Sequence, residues 1–336
     1  MKKSYYLFNP GTLSRKDNTL KFTPIDVDGN TEKSKYIPIE GISNLYIFGQ
    51  LNVNSPVLNF LGKQNIPVHF FDYYEHYTGS FMPKEYLQSG MMHVEQTKAY
   101  LSKKKRLAIA SQFIESSAHN IVKNLRYYSS RGKEALLLPQ IDKILQLSGT
   151  ITNVKAIDQL MGIEGNIRQN YYACFDHIIQ NFEMKGREKQ PPTNEINALM
   201  SFGNMLCYSL CLDQLYHTQL NPTISFLHEP GTRRFSLALD LAEVFKPLLV
   251  DRLIFKVLNK KILQKNHFDQ NLNGVRLKET YQKKFLQEWE GRLNTTIKHR
   301  SLGKHVSYRY LIRLEAYKLA KHLLNVEPYI AFKMWW

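Results

Sequence analysis

The spacing of apolar residues changes once along this chain, and that change constrains the fold more than any other feature. Up to residue 81 the apolar residues come in short runs, at 5–8, 19–23, 35–39, 45–48, 66–71 and 77–81. Turn-forming residues separate several of them, among these Asn9-Pro10-Gly11, Lys16-Asp17-Asn18 and Asp28-Gly29-Asn30. Runs punctuated in this way predict strands. One helix interrupts them, with Ser55 as its N-cap and Pro56 at its first position. From about Met92 apolar residues recur at helical spacing nearly to the end. The expected fold is α+β: a small β-sandwich at residues 1–81, a linker at 82–96 and a larger all-α domain at 97–336.

The helical part opens at 97–128 with one long basic amphipathic helix or a pair, carrying Lys103-Lys104-Lys105-Arg106. Further helices are expected at 134–147 and 150–182. The polar stretch 184–193, with Pro191-Pro192, reads as a surface loop. Asn194 then caps a helix at 195–215 that is apolar nearly all round, which places it at the centre. The formal charge is +16, and residues 252–336 hold 18 Lys/Arg against 6 Asp/Glu. Such an excess favours a polyanionic partner, nucleic acid first and an anionic membrane surface second. No run of about 18 apolar residues exists, so no membrane span is expected. The apolar start ends at Asn9-Pro10, too early for a signal peptide. Cys174, Cys207 and Cys211 make neither a disulfide framework nor a zinc set, and read as core thiols of a cytoplasmic protein. His69 and His76 lack ligand partners at useful spacing and read as structural.

Two stretches carry candidate chemistry. An apolar stripe runs through Ile157, Leu160, Met161, Ile167, Tyr171, Phe175, Ile178 and Phe182, and Glu164 lies on it. A carboxylate on a buried face needs a cation or a metal beside it. Either Glu164 reaches the rim of the core and pairs with Arg168 one turn later, or it is a catalytic or metal-binding group. Gly162 and Gly165 flank it and predict a close approach to the backbone. In the second stretch, 226–251, an apolar approach ends at His228 and turns at Glu229-Pro230-Gly231. Arg233 and Arg234 follow, and Ser236 can cap a helix over 237–244 with Asp240 and Glu243 on one face. Glu164, His228, Asp240 and Glu243 together suit Mg²⁺ or Mn²⁺, with open positions for phosphate oxygens and water. Such an ion stabilises charge on a transferring phosphoryl group. Taken singly the same residues are ordinary: His228 a turn residue, Asp240 a partner for Arg234.

Longer blocks resemble one family. LMGIEGNIRQNYY (160–172), NEINALMSFGNMLCY (194–208) and FLHEPGTRRFSLALDLAEVFKPLLVDR (226–252) are similar, in order, to the CRISPR-associated adaptation integrase, the universal "Cas-one" protein of spacer acquisition. YYLFNPGTLSRKDNTLKF near the start and the closing FKMWW resemble the branch of type I systems, subtype I-B. The resemblance covers the whole chain. It implies an amino-terminal β-sandwich that forms a homodimer, a helical catalytic domain, and a divalent metal held by a Glu, a His and an acidic residue. Those roles fall on Glu164, His228 and Glu243, the last at a position where some members carry Asp. Asp240 matches the neighbouring acidic position and is a further catalytic candidate. The implied reaction is transesterification: the 3′-hydroxyl of a short double-stranded DNA fragment attacks a phosphodiester at each end of a CRISPR repeat. The implied assembly includes a dimer of the small "Cas-two" partner. Arg233, Arg234, Lys246 and Arg252 are the expected DNA contacts, from charge and nearness in sequence alone. Two other readings compete. One is a stand-alone nuclease on branched DNA, with water as the nucleophile. The other is a non-catalytic nucleic-acid-binding scaffold in which Glu164 and Glu243 are structural. Trp335-Trp336 reads equally as a core plug or a partner contact.

Overall fold

The computed structural model describes every residue except Met1, Val27, Tyr73, Glu85, Tyr86, Gln88, Lys189, Gln190, Arg233, Arg234, Leu272 and Asn273. The chain forms two compact units, Met1–Gln88 and Ser89–Trp336.

In the first unit the strands are β1 (Lys3–Leu7), β2 (Gly11–Lys16), β3 (Thr19–Pro24), β4 (Lys35–Pro38), β5 (Ile42–Ile47), β6 (Leu51–Val53), β7 (Val68–Phe71) and β8 (Tyr77–Phe81), with helix α1 (Ser55–Lys63) before β7. They make two four-stranded sheets, ordered β1-β5-β7-β8 and β4-β3-β2-β6. Both sheets are mixed: β5 runs parallel to β1 and β7, and β6 runs parallel to β2. Leu20 and Phe22 on β3 and Leu45 and Ile47 on β5 join one core with Phe60 and Leu61 of α1. Alternation in β3 sets which residues enter it, because successive side chains leave a strand on opposite faces. The cap of α1 is Asn54, not Ser55: the Asn54 backbone is extended and its side chain accepts from the Val57 amide at 3.2 Å. His69 is fully buried on β7 and bonds Ser80 Oγ through Nδ1 at 2.7 Å, a structural role. Burial pushes its pKa down to about 4.

The second unit opens with α2 (Gly90–Leu101), which starts inside the stretch expected to be a linker. Ser89 caps it, and Ser102 both ends it and caps α3 (Lys103–Tyr128), so the long basic segment is a pair of helices. There follow α4 (Glu134–Gly149), α5 (Ile157–Tyr172) and the single turn α6 (Phe175–Ile178). The helix expected over 150–182 is thus shorter, since Val154 and Ala156 are extended ahead of α5. Asn194 caps α7 (Glu195–Tyr216) as expected, accepting from the Asn197 amide at 2.9 Å, and most of α7 is buried. Helix α8 (Ser236–Lys246) packs against α3 and α7. It runs through a wider helical turn, Pro247–Asp251, into α9 (Arg252–Asn259). Gly203 of α7 is required here, because a Cβ on it would lie 2.6 Å from Val250 Cγ1.

Two antiparallel hairpins correct the expectation of an all-α domain. The first joins β9 (Phe268–Asn271) and β10 (Gly274–Leu277). After α10 (Glu279–Leu293) the second joins β11 (Thr296–Lys298) and β12 (His305–Ser307), ahead of α11 (Tyr308–Leu323). Strands of three or four residues are too short for alternation to register in the sequence. The carboxyl-terminal segment then returns to the core. Asn120 of α3 accepts from the Met334 amide at 2.8 Å and donates to the Val244 carbonyl at 3.0 Å. Phe332 stacks on Phe245, and Trp336 stacks on Tyr308. The terminal tryptophans therefore pack on their own chain. Among the described residues no helix is long and apolar enough to cross a membrane.

Candidate metal centre

The site is built on α5, α8 and the loop ahead of α8. That loop is irregular, so its amides need acceptors other than a helix or sheet ladder. Asp240 supplies them. Fully buried on α8, it accepts from the Phe226 and Leu227 amides at Oδ2, at 2.7 and 3.0 Å. Its Oδ1 accepts from the His228 amide at 3.0 Å and from His228 Nδ1 at 2.8 Å. A carboxylate only accepts, so the proton of neutral His228 is on Nδ1 and the Nε2 lone pair is free for a ligand. Among the described residues Nε2 has no hydrogen-bond partner. Both Asp240 oxygens are thus committed to the loop amides and the imidazole. Ser225 Oγ donates to the His228 carbonyl. Arg106 clamps the same loop, donating to the Phe226 carbonyl at 2.8 Å and pairing with Glu229 at 2.6 Å. Within the run Lys103-Lys104-Lys105-Arg106 the three lysines are exposed and Arg106 is half-buried.

Ser236 does not cap α8. Its hydroxyl donates instead to the Thr223 carbonyl at 2.9 Å, fastening the helix start to the loop. Four residues after Glu164 on α5 stands Arg168, and it joins the two glutamates. Its Nε donates to Glu164 Oε1 at 2.7 Å and its Nη2 donates to Glu243 Oε2. Lys246 Nζ pairs with the other Glu243 oxygen at 2.5 Å and lies 4.8 Å from the centre of the Tyr208 ring. Glu164 sits at the rim, its side chain 20% exposed, while Arg168 and Glu243 are buried. Burial raises the Glu243 pKa, but Arg168 and Lys246 override it and hold the carboxyl at about 2, with a further lowering from nearby His228. Glu243 is therefore ionised and available as a hard oxygen ligand. Next to this network Asp251 is pushed up to about 6, by burial first and against the opposing pull of Arg168.

Gly162 and Gly165 have open space where a Cβ would stand, so no close neighbour requires glycine at either position. Lys246, expected from its charge to contact DNA, is buried against Glu243. Arg252 is partly buried over the Tyr127 ring and beside Met334 Sδ. Arg233 and Arg234 lie outside the described residues. Cations also gather elsewhere: Lys123, Arg126 and Lys333, the last paired with Glu115 at 3.4 Å, line a cleft of about 360 Å³ alongside α3 and α4. Burial lowers the pKa of His119 in its wall, as do these three cations.

The donor set fits a hard divalent ion: two carboxylates and one neutral imidazole with its proton fixed on the far nitrogen. Among the described residues no three acidic, histidine or cysteine side chains converge at ligand distance, and Arg168 stands between Glu164 and Glu243.

Comparison with known proteins gives this geometry its context. Residues 5–291 match the model of the family described as CRISPR associated protein Cas1, and the chain belongs to that family. It is 46% identical over 337 residues to the CRISPR-associated endonuclease Cas1 of Fusobacterium nucleatum, covering all of this chain and 98% of the relative. A solved Cas1 protein from Thermotoga maritima is 36% identical, with a TM-score of 0.86 over 99% of this chain and all of that one. A casposase bound to an integration product shares the fold at 23% identity, with a TM-score of 0.84 over 98% of this chain and 93% of that one.

Proposed function

We propose that this chain is a divalent-metal-dependent DNA endonuclease and integrase that joins 3′-hydroxyl ends of short duplexes to the ends of a CRISPR repeat. One observation carries the reading: a buried carboxylate, Asp240, fixes His228 with Nε2 free, while Arg168 ties Glu243 to Glu164 on the neighbouring helix. Glu164, Glu243 and His228 Nε2 would hold Mg²⁺ or Mn²⁺. When bound, that ion supplies Lewis-acid stabilisation of charge on the attacked phosphodiester. The protein's own groups do the rest. Asp240 orients the imidazole, and Lys246 and Arg168 each hold one Glu243 oxygen in place. Arg106 and Ser225 hold the loop in register. Lys103, Lys104 and Lys105, with the cleft cations Lys123, Arg126 and Lys333, offer phosphate contacts that position DNA without reading its sequence. The first unit serves as a homodimer contact, and a Cas-two dimer completes an assembly that works on DNA in the cytoplasm.

A strand-transfer assay tests this. Purified protein, alone and with the Cas-two partner, meets a labelled short duplex and a supercoiled plasmid carrying a repeat, with Mn²⁺ or EDTA. Label joined to plasmid only with metal, and lost in Glu164→Ala, is the expected outcome. Nicking without joining assigns a hydrolytic nuclease instead. Binding without any chemistry, from folded protein, leaves only a scaffold.

A further inference from the structure

The Arg168 guanidinium lies between two carboxylates that would otherwise repel each other. It is 8% exposed, its Nε donates to Glu164 Oε1 at 2.7 Å, and its Nη2 donates to Glu243 Oε2. A divalent ion that takes Glu164 and Glu243 as ligands needs the same oxygens. It also repels a guanidinium at that distance, so the two cations compete. Asp251 is equipped to receive the displaced one. It is 2% exposed, and its Oδ2 has no hydrogen-bond partner among the described residues. A buried carboxylate oxygen without a donor is unusual and costly. The Tyr171 hydroxyl, which also acts on the Asp251 carboxyl electrostatically, accepts from Asn124 at 3.2 Å. Arg168 and Asp251 already act on each other electrostatically.

We infer that Arg168 is a stand-in cation for the metal-free site, and that it moves to the open Oδ2 of Asp251 when a divalent ion loads. Asp251 is then a positioning residue for metal loading that never touches the reacting atoms. The inference rests on the reading of Glu164, His228 and Glu243 as ligands.

Calorimetric titration of Mn²⁺ into the full chain tests it with a double-mutant cycle. Removing Arg168 removes the competitor, so Arg168→Gln tightens Mn²⁺ binding by about tenfold, the effect of raising a binding-competent fraction from near a tenth to one. Asp251→Asn deprives the displaced guanidinium of its acceptor and weakens binding about fivefold, an ordinary size for coupling between sites. In the Arg168→Gln background Asp251→Asn has no effect, because there is no guanidinium to receive. A through-space charge effect alone would weaken binding equally in both backgrounds, and that additive result overturns the inference. So does an unchanged affinity in Asp251→Asn. If Arg168→Gln is unfolded by circular dichroism, Arg168→Lys replaces it in the cycle, keeping the charge without the fork that spans both carboxylates. His228→Ala separates the two failures. Wild type that binds no Mn²⁺ overturns both the ligand reading and this inference, whereas binding abolished by His228→Ala with an additive cycle overturns only the latter.

Discussion

Replacing Asp240 with Asn changes one atom and should unfasten the His228 loop. The two Asp240 oxygens accept four hydrogen bonds, three from consecutive backbone amides and one from His228 Nδ1, at 2.7 to 3.0 Å. Asn has one acceptor oxygen, so its NH₂ faces either the Phe226 and Leu227 amides, losing both bonds, or the His228 amide and Nδ1, where only a shift of the ring proton to Nε2 restores one. The side chain is fully buried, and water does not reach in to compensate. Losing two hydrogen bonds to a charged acceptor costs about 1.5–3 kcal/mol each, so the loop is destabilised by about 3–6 kcal/mol. At 1.4 kcal/mol per decade, about 3 kcal/mol already speeds local opening by more than 100-fold. Hydrogen exchange followed by mass spectrometry across residues 225–229 reads this directly. Protected amides in wild type and fast exchange in Asp240→Asn are expected. Mn²⁺ affinity should fall about 10- to 100-fold with it, as for other lost ligand-orienting partners. Unchanged exchange at Phe226, Leu227 and His228 would refute the reasoning, since no other change to the loop was made.

Other expectations follow from the same geometry. Arg106→Ala removes the clamp on the Phe226 carbonyl and Glu229, so strand transfer should drop while the thermal midpoint falls only slightly; equal activity would place the loop under other control. Gly203→Ala puts a methyl 2.6 Å from Val250 Cγ1 and should destabilise the second unit by about 1–3 kcal/mol in urea denaturation. His69 titrates near 4 when folded and near 6.5 when unfolded, so the unfolded chain binds the extra proton between those values. Stability of the first unit is then complete above pH 6.5 and declines as pH falls toward 4, by roughly 3 kcal/mol for the full shift. Exchange of the β7 amides between pH 7 and 4.5 checks it, and His69→Asn should flatten the dependence.

Much of this fold was legible because apolar spacing is a local signal. Alternation marked β3, and the apolar run of α7 with its Asn194 cap marked the central helix. The start of α2 inside the expected linker did not show because Gly90-Met91-Met92 begins a helix without a strong apolar stripe, and the hairpins at 268–277 and 296–307 were too short to register. Glu164, His228 and Glu243 stood out through residue type and block resemblance. Their partners did not, since Asp251 and Arg106 reach the site only through the packing of α3, α5 and the turn after α8. Charge was the poorest guide. The Lys246 ammonium is buried on Glu243, which charge and distance in the chain could not show, since neither says which face a side chain leaves.

The central claim is that Glu164, His228 and Glu243 form one divalent-metal site. Anomalous diffraction from crystals soaked in Mn²⁺ tests it most directly. The account predicts one manganese bound by His228 Nε2 and a carboxylate oxygen from each of Glu164 and Glu243, with Arg168 withdrawn from between them. Manganese bound elsewhere, or no bound ion in protein that still joins DNA only when Mn²⁺ is present, would contradict it.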